Sequence, residues 1–197
     1  LRWLSSVWPG SADDVLDRSL RAAHPLAEIL SPALEAWQRA PNPDKLQRTS
    51  YQYCKTYLEG DILTKVDRAS MAVGLEVRSP FLDSDVVALL TGLPASAKLG
   101  WFAQKRVLRV AVGKYLPRET LRRPKKGFGV PVASWLRGPL RSLLLDYLSP
   151  DRIKSAGYLR PEVVSRLVDE HLKGRRNNRK VLWTLLMFEI WRERFEL

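Results

Sequence analysis

The chain has 197 residues, of which 45% are apolar, with seven Trp, a single Cys and a formal net charge of +12. That is long and apolar enough to bury a core, which excludes a disordered segment, and the lone Cys54 excludes an internally bridged scaffold or a thiolate zinc site. No apolar run is long enough to span a bilayer and the N-terminus lacks a secretion-signal pattern, so the cytoplasm is the expected compartment and the excess charge points to an anionic partner.

The chain opens on Leu1 in mid-pattern, as a fragment would. Its first forty residues read as short helices. Ser11 is placed to cap one whose first turn carries Asp13 and Asp14. Leu26, Ile29, Leu30, Ala33, Leu34 and Trp37 keep helical spacing, but Pro32 divides them, with Ser31 as the cap of the second piece. Asn42 and Pro43 suit a further helix start, Leu46, Ser50, Tyr53 and Tyr57 share its face, and Gly60 is the predicted stop. Cys54 shares a face with Tyr51 and Leu58, which predicts a packed thiol.

The stretch 61–83, DILTKVDRASMAVGLEVRSPFLD, carries the densest mixture of charge and apolar pattern. A helix over 61–73 would bury Ile62, Val66, Ala69 and Val73 and set Asp61, Lys65 and Arg68 in an adjoining row. Spacing alone reads that row as a salt-bridge ladder. Beyond Gly74, Glu76 and Arg78 alternate with Leu75 and Val77, and Pro80 forces Ser79 into an extended conformation. Asp83 or Ser84 then caps a helix. Glu76 and Arg78 point to one side, as an ion pair or as ligand contacts.

Between 98 and 126 the chain is rich in Lys and Arg, with Glu119 its only acid. A helix over 103–116 would bury Leu108, Ala111, Val112 and Tyr115 and expose Lys105, Arg106 and Arg109. The loop RRPKKGFGVP follows. Gly127 and Gly129 allow close backbone approach, and Lys125 and Lys126 sit between them and Pro124, as mobile cations able to reach a phosphate or an oxyanion. Two short apolar helices split by Gly138 and Pro139 come next, then a helix opened by Pro161 with Val164, Leu167, Val168 and a packed His171 on one side. RRNNRK, basic and free of acids, leads into VLWTLLMFEIW, a helix apolar nearly all round and therefore buried, in which Glu189 needs a partner. Strand alternation and internal repeats are missing, so the fold class is mainly α.

The run YLEGDILTKVDRASMAVGLEVRSPFLD, Leu93 and Pro94, RRPKKGFGVPVASWLRGPLR and NNRKVLWTLLMFEIW together resemble the C-terminal part of the synthetase domain of glutamine-dependent asparagine synthetases, over about residues 57–195. The resemblance implies that the whole of 1–197 is the helical C-terminal portion of an α/β ATP-pyrophosphatase synthetase domain. It also implies ATP and Mg²⁺ as cofactors, with adenylation of the aspartate side-chain carboxylate and attack by glutamine-derived ammonia to give asparagine, AMP and pyrophosphate. Lys125 is similar in position to the family's Lys that neutralises charge on the α-phosphate and the intermediate. Asp61, Lys65, Arg68, Glu76, Arg78, Asp83 and Lys126 match segments bordering the family's substrate and ATP pocket, with no metal ligand among them.

The family's Ser-Gly-Gly-x-Asp-Ser phosphate loop, its acidic segment and its N-terminal glutaminase Cys have no counterpart in this sequence. ATP and Mg²⁺ would therefore depend on upstream phosphate-loop and glutaminase regions as partners, and the isolated chain is expected to be inactive. Two alternatives stay open. One is a lactam- or macrocycle-forming synthetase of the same superfamily; the other is a basic helical nucleic-acid binder, which the missing reading motif disfavours, while a structural helical module that completes another domain's sheet is compatible with the ligase class.

Overall fold

A computed structural model describes residues 15–100, 104–124, 127 and 129–196. Among them secondary structure is helical, apart from two isolated antiparallel bridges, Leu16 with Leu159 and Leu99 with Gln104. The mainly α class predicted from the pattern is what forms. The expected Ser11 cap lies outside the described residues. The chain divides into two compact units, Leu1–Glu28 with Gly127–Leu197, and Ile29–Lys126.

The first unit has an apolar core. Helices Val132–Arg137 and Arg141–Tyr147 pack against the long helix Arg179–Arg194, which also meets Pro161–Leu172; the latter packs on Pro150–Ala156. Leu136, Leu144, Ile153, Val164, Leu182 and Leu186 are fully buried where these faces converge. Each comes from an apolar side of its helix, and burial of one such side chain stabilises by about 1.5–3 kcal/mol. Gly157, at φ +75°, ends Pro150–Ala156 in the left-handed region, and Pro161 starts the next helix after a three-residue link, 158–160. Across that link Asp17 donates its N–H to Tyr158 O at 2.9 Å and Arg160 donates to Val15 O at 2.9 Å, which holds Val15 in the core.

His171 is buried, as its place on the apolar face predicts. Its Nδ1 accepts the N–H of Asn178 at 3.2 Å, which leaves the ring proton on Nε2, 3.3 Å from Ala133 O. Burial holds its pKa below the ordinary histidine value, although the bond to Ala133 opposes this. Glu189 is also fully buried; Oε2 accepts from Arg192 Nη2 at 3.0 Å, while Oε1 has no hydrogen-bond partner. The final helix is less buried than its composition suggests, since Trp191 stays exposed on its outer side.

The second unit is built differently. Ser31–Gln38 packs on Lys45–Tyr53, which continues as a π-helix, Cys54–Leu63, and then as the α-helix Thr64–Met71. Among its described residues only Ala36 and Gln52 are buried. Side-chain to main-chain bonds do much of the joining: Gln52 Nε2 donates to Ala33 O at 2.7 Å, and Arg48 reaches Trp37 O through Nε at 3.1 Å and Nη2 at 2.9 Å. Helices Ser84–Gly92, Ala95–Lys98, Arg106–Val112 and Arg118–Arg122 complete it.

Several expectations are corrected here. Gly60 does not stop a helix; it lies inside the π-helix, and the stop is Gly74, at φ +68°. There the N–H of Leu75 bonds Ser70 O at 2.9 Å and that of Gly74 bonds Met71 O at 3.1 Å, the paired closure that a left-handed residue permits. The helix before Cys54 is capped by Asp44 rather than Asn42, because Asp44 Oδ1 receives both Leu46 N–H and Gln47 N–H at 3.0 Å. Cys54 is exposed rather than packed. The helix expected over 103–116 is only Arg106–Val112, and Tyr115 beyond it is exposed.

Candidate active site

The stripe predicted to be buried in the 61–73 helix faces outward. Val66 is 39% exposed and Val73 is 79% exposed. Both lie just beyond the π-helix Cys54–Leu63, and their exposure follows from the lack of an apolar partner face among the described residues of this unit. Among the described residues of this unit only the returning segment 76–79 comes beside that face, and it leaves a hollow there.

The charged row lies where those two helices meet. Asp61 is in the π-helix, and Lys65 Nζ comes within 3.5 Å of its Oδ1 in the first turn of Thr64–Met71. Arg68 is exposed in the last turn. Both partners of the Asp61–Lys65 pair are exposed, so the pair contributes little stability, about 0–1 kcal/mol.

Glu76 and Arg78 form an ion pair on the extended segment after Gly74. The chain there is straightened by Ser79, at φ −113° and ψ 87°, before the 3-10 turn Pro80–Leu82. The segment folds back beside Thr64–Met71, and a hollow of about 310 Å³ opens between Glu76, Val77 and Arg78 on one side and Val66, Asp67 and Ser70 on the other. Asp83 is spent locally as the cap of Ser84–Gly92: its Oδ1 accepts from Asp85 N–H at 3.0 Å and Val86 N–H at 3.4 Å.

Of the residues selected from sequence, the structure therefore brings Glu76 and Arg78 to one hollow and gives Asp83 a capping bond. Asp61, Lys65 and Arg68 are not among the residues lining that hollow; Asp67 and Ser70 are. These two were visible in the same KVDRASM stretch but belong to the other helix face, and only the return of 76–79 singles them out. Lys125 and Lys126 lie outside the described residues. Chemically, Arg78 offers a planar donor pair for a carboxylate or phosphate, which an incoming anion would take over from Glu76.

A second, more apolar hollow of about 590 Å³ lies in the same unit, lined by Leu46, Val86, Leu90 and Leu108 among others. Lys98 is at its edge, with Nζ donating to Gln47 Oε1 at 2.6 Å and to Thr91 O at 3.4 Å. Burial lowers the Lys98 pKa, against the raising influence of Asp44. Sequence spacing carried no signal for this arrangement, because Lys98 and Gln47 are 51 residues apart.

Among the described residues no group of three His, Cys, Asp or Glu side chains is placed to hold a metal ion. No described helix is long and apolar enough to cross a membrane.

The sequence profile of asparagine synthase matches residues 2–193. A putative glutamine-hydrolysing asparagine synthetase of Mycobacterium tuberculosis is 39% identical over 149 residues, covering 75% of this chain and 22% of the relative. Glutamine-hydrolysing asparagine synthetase 1 of Bacillus subtilis is 31% identical over 146 residues, 74% of this chain and 23% of its own length. The amidase chyE of Penicillium rubens is 28% identical over 121 residues, 58% of this chain and 18% of that protein. The matched region thus spans under a quarter of these curated relatives. No solved structure matches the chain. With the profile running through nearly all of the sequence, the chain belongs to the asparagine synthase family.

Proposed function

We propose that this chain is the helical C-terminal part of the synthetase domain of a glutamine-dependent carbon–nitrogen ligase, one that adenylates the aspartate side-chain carboxylate and lets ammonia displace AMP. The observation that carries this reading is family membership along almost the whole chain, together with relatives whose names describe glutamine-hydrolysing asparagine synthetases. In this reading the hollow at Glu76 and Arg78 is one wall of the substrate pocket, with Asp61, Lys65, Arg68 and Asp83 setting its surroundings. Lys125 neutralises charge that develops on the α-phosphate and the acyl adenylate, and Lys126 borders the same pocket.

ATP supplies the activating group when bound, and the residues of this chain contribute cations and a carboxylate-binding surface around it. The phosphate loop, the Mg²⁺ site and the glutaminase are contributions of upstream regions. The open apolar face of the second unit, with Val73, Leu75, Val77 and Phe81 exposed around the Glu76–Arg78 pair, supports a neighbouring region packing there.

The test is ATP–pyrophosphate exchange by the polypeptide carrying the phosphate loop, offered aspartate and a panel of other carboxylates. Aspartate-dependent exchange is expected, with a loss of at least about a hundredfold in Lys125→Ala, the range for removing one stabiliser of developing charge. Exchange that is near normal in Lys125→Ala refutes the assignment of Lys125. Exchange supported by another carboxylate and not by aspartate replaces the substrate. Mixed by itself with ATP, Mg²⁺, aspartate and ammonia, the present chain releases no pyrophosphate.

A further inference from the structure

The basic sequence RRNNRK finds no use in the ligase reading, yet the first unit folds it around a cavity. Arg176, Arg179 and Lys180 line a concavity of about 350 Å³ together with Arg166 from helix Pro161–Leu172. Val15, Val163, Leu167 and Val181 add apolar lining, and no Asp or Glu lines it among the described residues. The volume is at the lower end of the roughly 300–1,000 Å³ typical of small-ligand sites.

None of these four cations forms an ion pair among the described residues, although the same unit pairs many of its others. Glu193 takes Arg152, Glu162 takes Arg160, Asp169 takes both Lys173 and Arg175, and Glu189 takes Arg192. Glu170, the acid nearest in sequence to Arg176, accepts from Asn178 Nδ2 at 3.1 Å. Four like charges around one hollow repel one another, and a multivalent anion relieves that repulsion.

The hollow is also held in place. Asn178 is 6% exposed and is tied by its Nδ2 to Leu167 O at 3.0 Å and by its N–H to the buried His171 at 3.2 Å. RRNNRK is therefore fixed to the helix that contributes Arg166, so little ordering is left for a ligand to impose. At the start of helix Arg179–Arg194 the N-cap Asn178 gives no side-chain bond, although Asn177 Oδ1 accepts Arg179 N–H at 3.3 Å, and the helix's positive end adds to the field of the four side chains.

We propose that this cavity binds a small multivalent phosphate of the pyrophosphate class, gripped by the guanidinium groups of Arg166, Arg176 and Arg179 and by Lys180. Guanidinium groups suit this ligand because their paired donors match two phosphate oxygens at once. The site lies wholly within the first unit and is independent of the ligase reading.

The test is calorimetric titration of the 197-residue chain with pyrophosphate, ATP and adenosine, at low and at physiological salt. One-to-one pyrophosphate binding is expected, weakened at least about tenfold in Arg176→Gln/Arg179→Gln, equivalent to about 1.4 kcal/mol. Both arginines are exposed, so the variant keeps its fold, which circular dichroism verifies. Arg118→Gln/Arg122→Gln, which removes the same charge from the other unit, should bind like the parent. Pyrophosphate binding matched by ATP assigns recognition to the phosphate tail, and pyrophosphate binding without ATP assigns it to the free anion. Absence of pyrophosphate binding, or equal weakening in both double variants, overturns the proposal.

Discussion

Replacing His171 by Leu tests the hydrogen-bond logic of the first unit directly. The imidazole is buried and of similar bulk to Leu, so the substitution opens little cavity; what it removes is an acceptor. Asn178 N–H, bonded to Nδ1 at 3.2 Å, is left without it at a buried position, which costs about 1–3 kcal/mol. The 3.3 Å contact to Ala133 O is long and adds little. The expected loss of about 1–3 kcal/mol is a sizeable share of the 5–15 kcal/mol typical of a whole domain. Urea unfolding followed by tryptophan fluorescence measures it, and amide exchange at Asn178 localises it.

The same site dictates a pH dependence. His171 has a folded pKa lowered by burial, whereas the unfolded chain has an ordinary histidine near 6.5. Above that value both states are neutral and the group does not alter stability with pH. As pH falls below it the unfolded state takes up the proton first, so stability drops until the folded pKa is passed. The reason is burial: a proton taken up by this ring places a charge away from water, and on Nδ1 it would also face the N–H of Asn178. His171→Leu should therefore flatten the stability profile between pH 6.5 and the acid limb. An unchanged slope in the variant, or no measurable loss of stability at neutral pH, would refute the reasoning.

Other outcomes follow from single contacts. Asp83→Ala removes the acceptor for two amides at the start of Ser84–Gly92 and should destabilise the second unit by about 0.5–2 kcal/mol, measured by urea unfolding, with Asp83→Asn losing much less. Gly157→Ala should cost about 1–2 kcal/mol: nothing stands within 4 Å of the added Cβ, but φ is +75°. A thermal-melt difference between this variant and Gly127→Ala reads out the backbone penalty. Cys54 is exposed and should react with a thiol reagent in native buffer at the rate seen in urea; protection in native buffer would contradict its placement.

Much of the first unit is legible in the sequence. Val164, Leu167, Val168 and His171 share one helical side in the sequence and pack in the structure, because an apolar face there meets other apolar faces of the same chain. Ile62, Val66, Ala69 and Val73 share a side just as clearly, and Val66 and Val73 remain exposed. Periodicity reports that a face wants a partner; it does not report which chain segment supplies one. The resemblance singles out Glu76 and Arg78, but Asp67 and Ser70 line the same hollow only through the Schellman turn at Gly74 that folds 76–79 back.

The sequence by itself determined the helical class, the family and the basic character of RRNNRK, since each is written in composition, spacing or motif. Tertiary structure decided which cations stay unpaired and which carboxylates neutralise the rest. That depends on residues far apart in the chain, as with Arg166 and Lys180 around one cavity or Arg152 and Glu193 in one ion pair, and no local pattern encodes such distances.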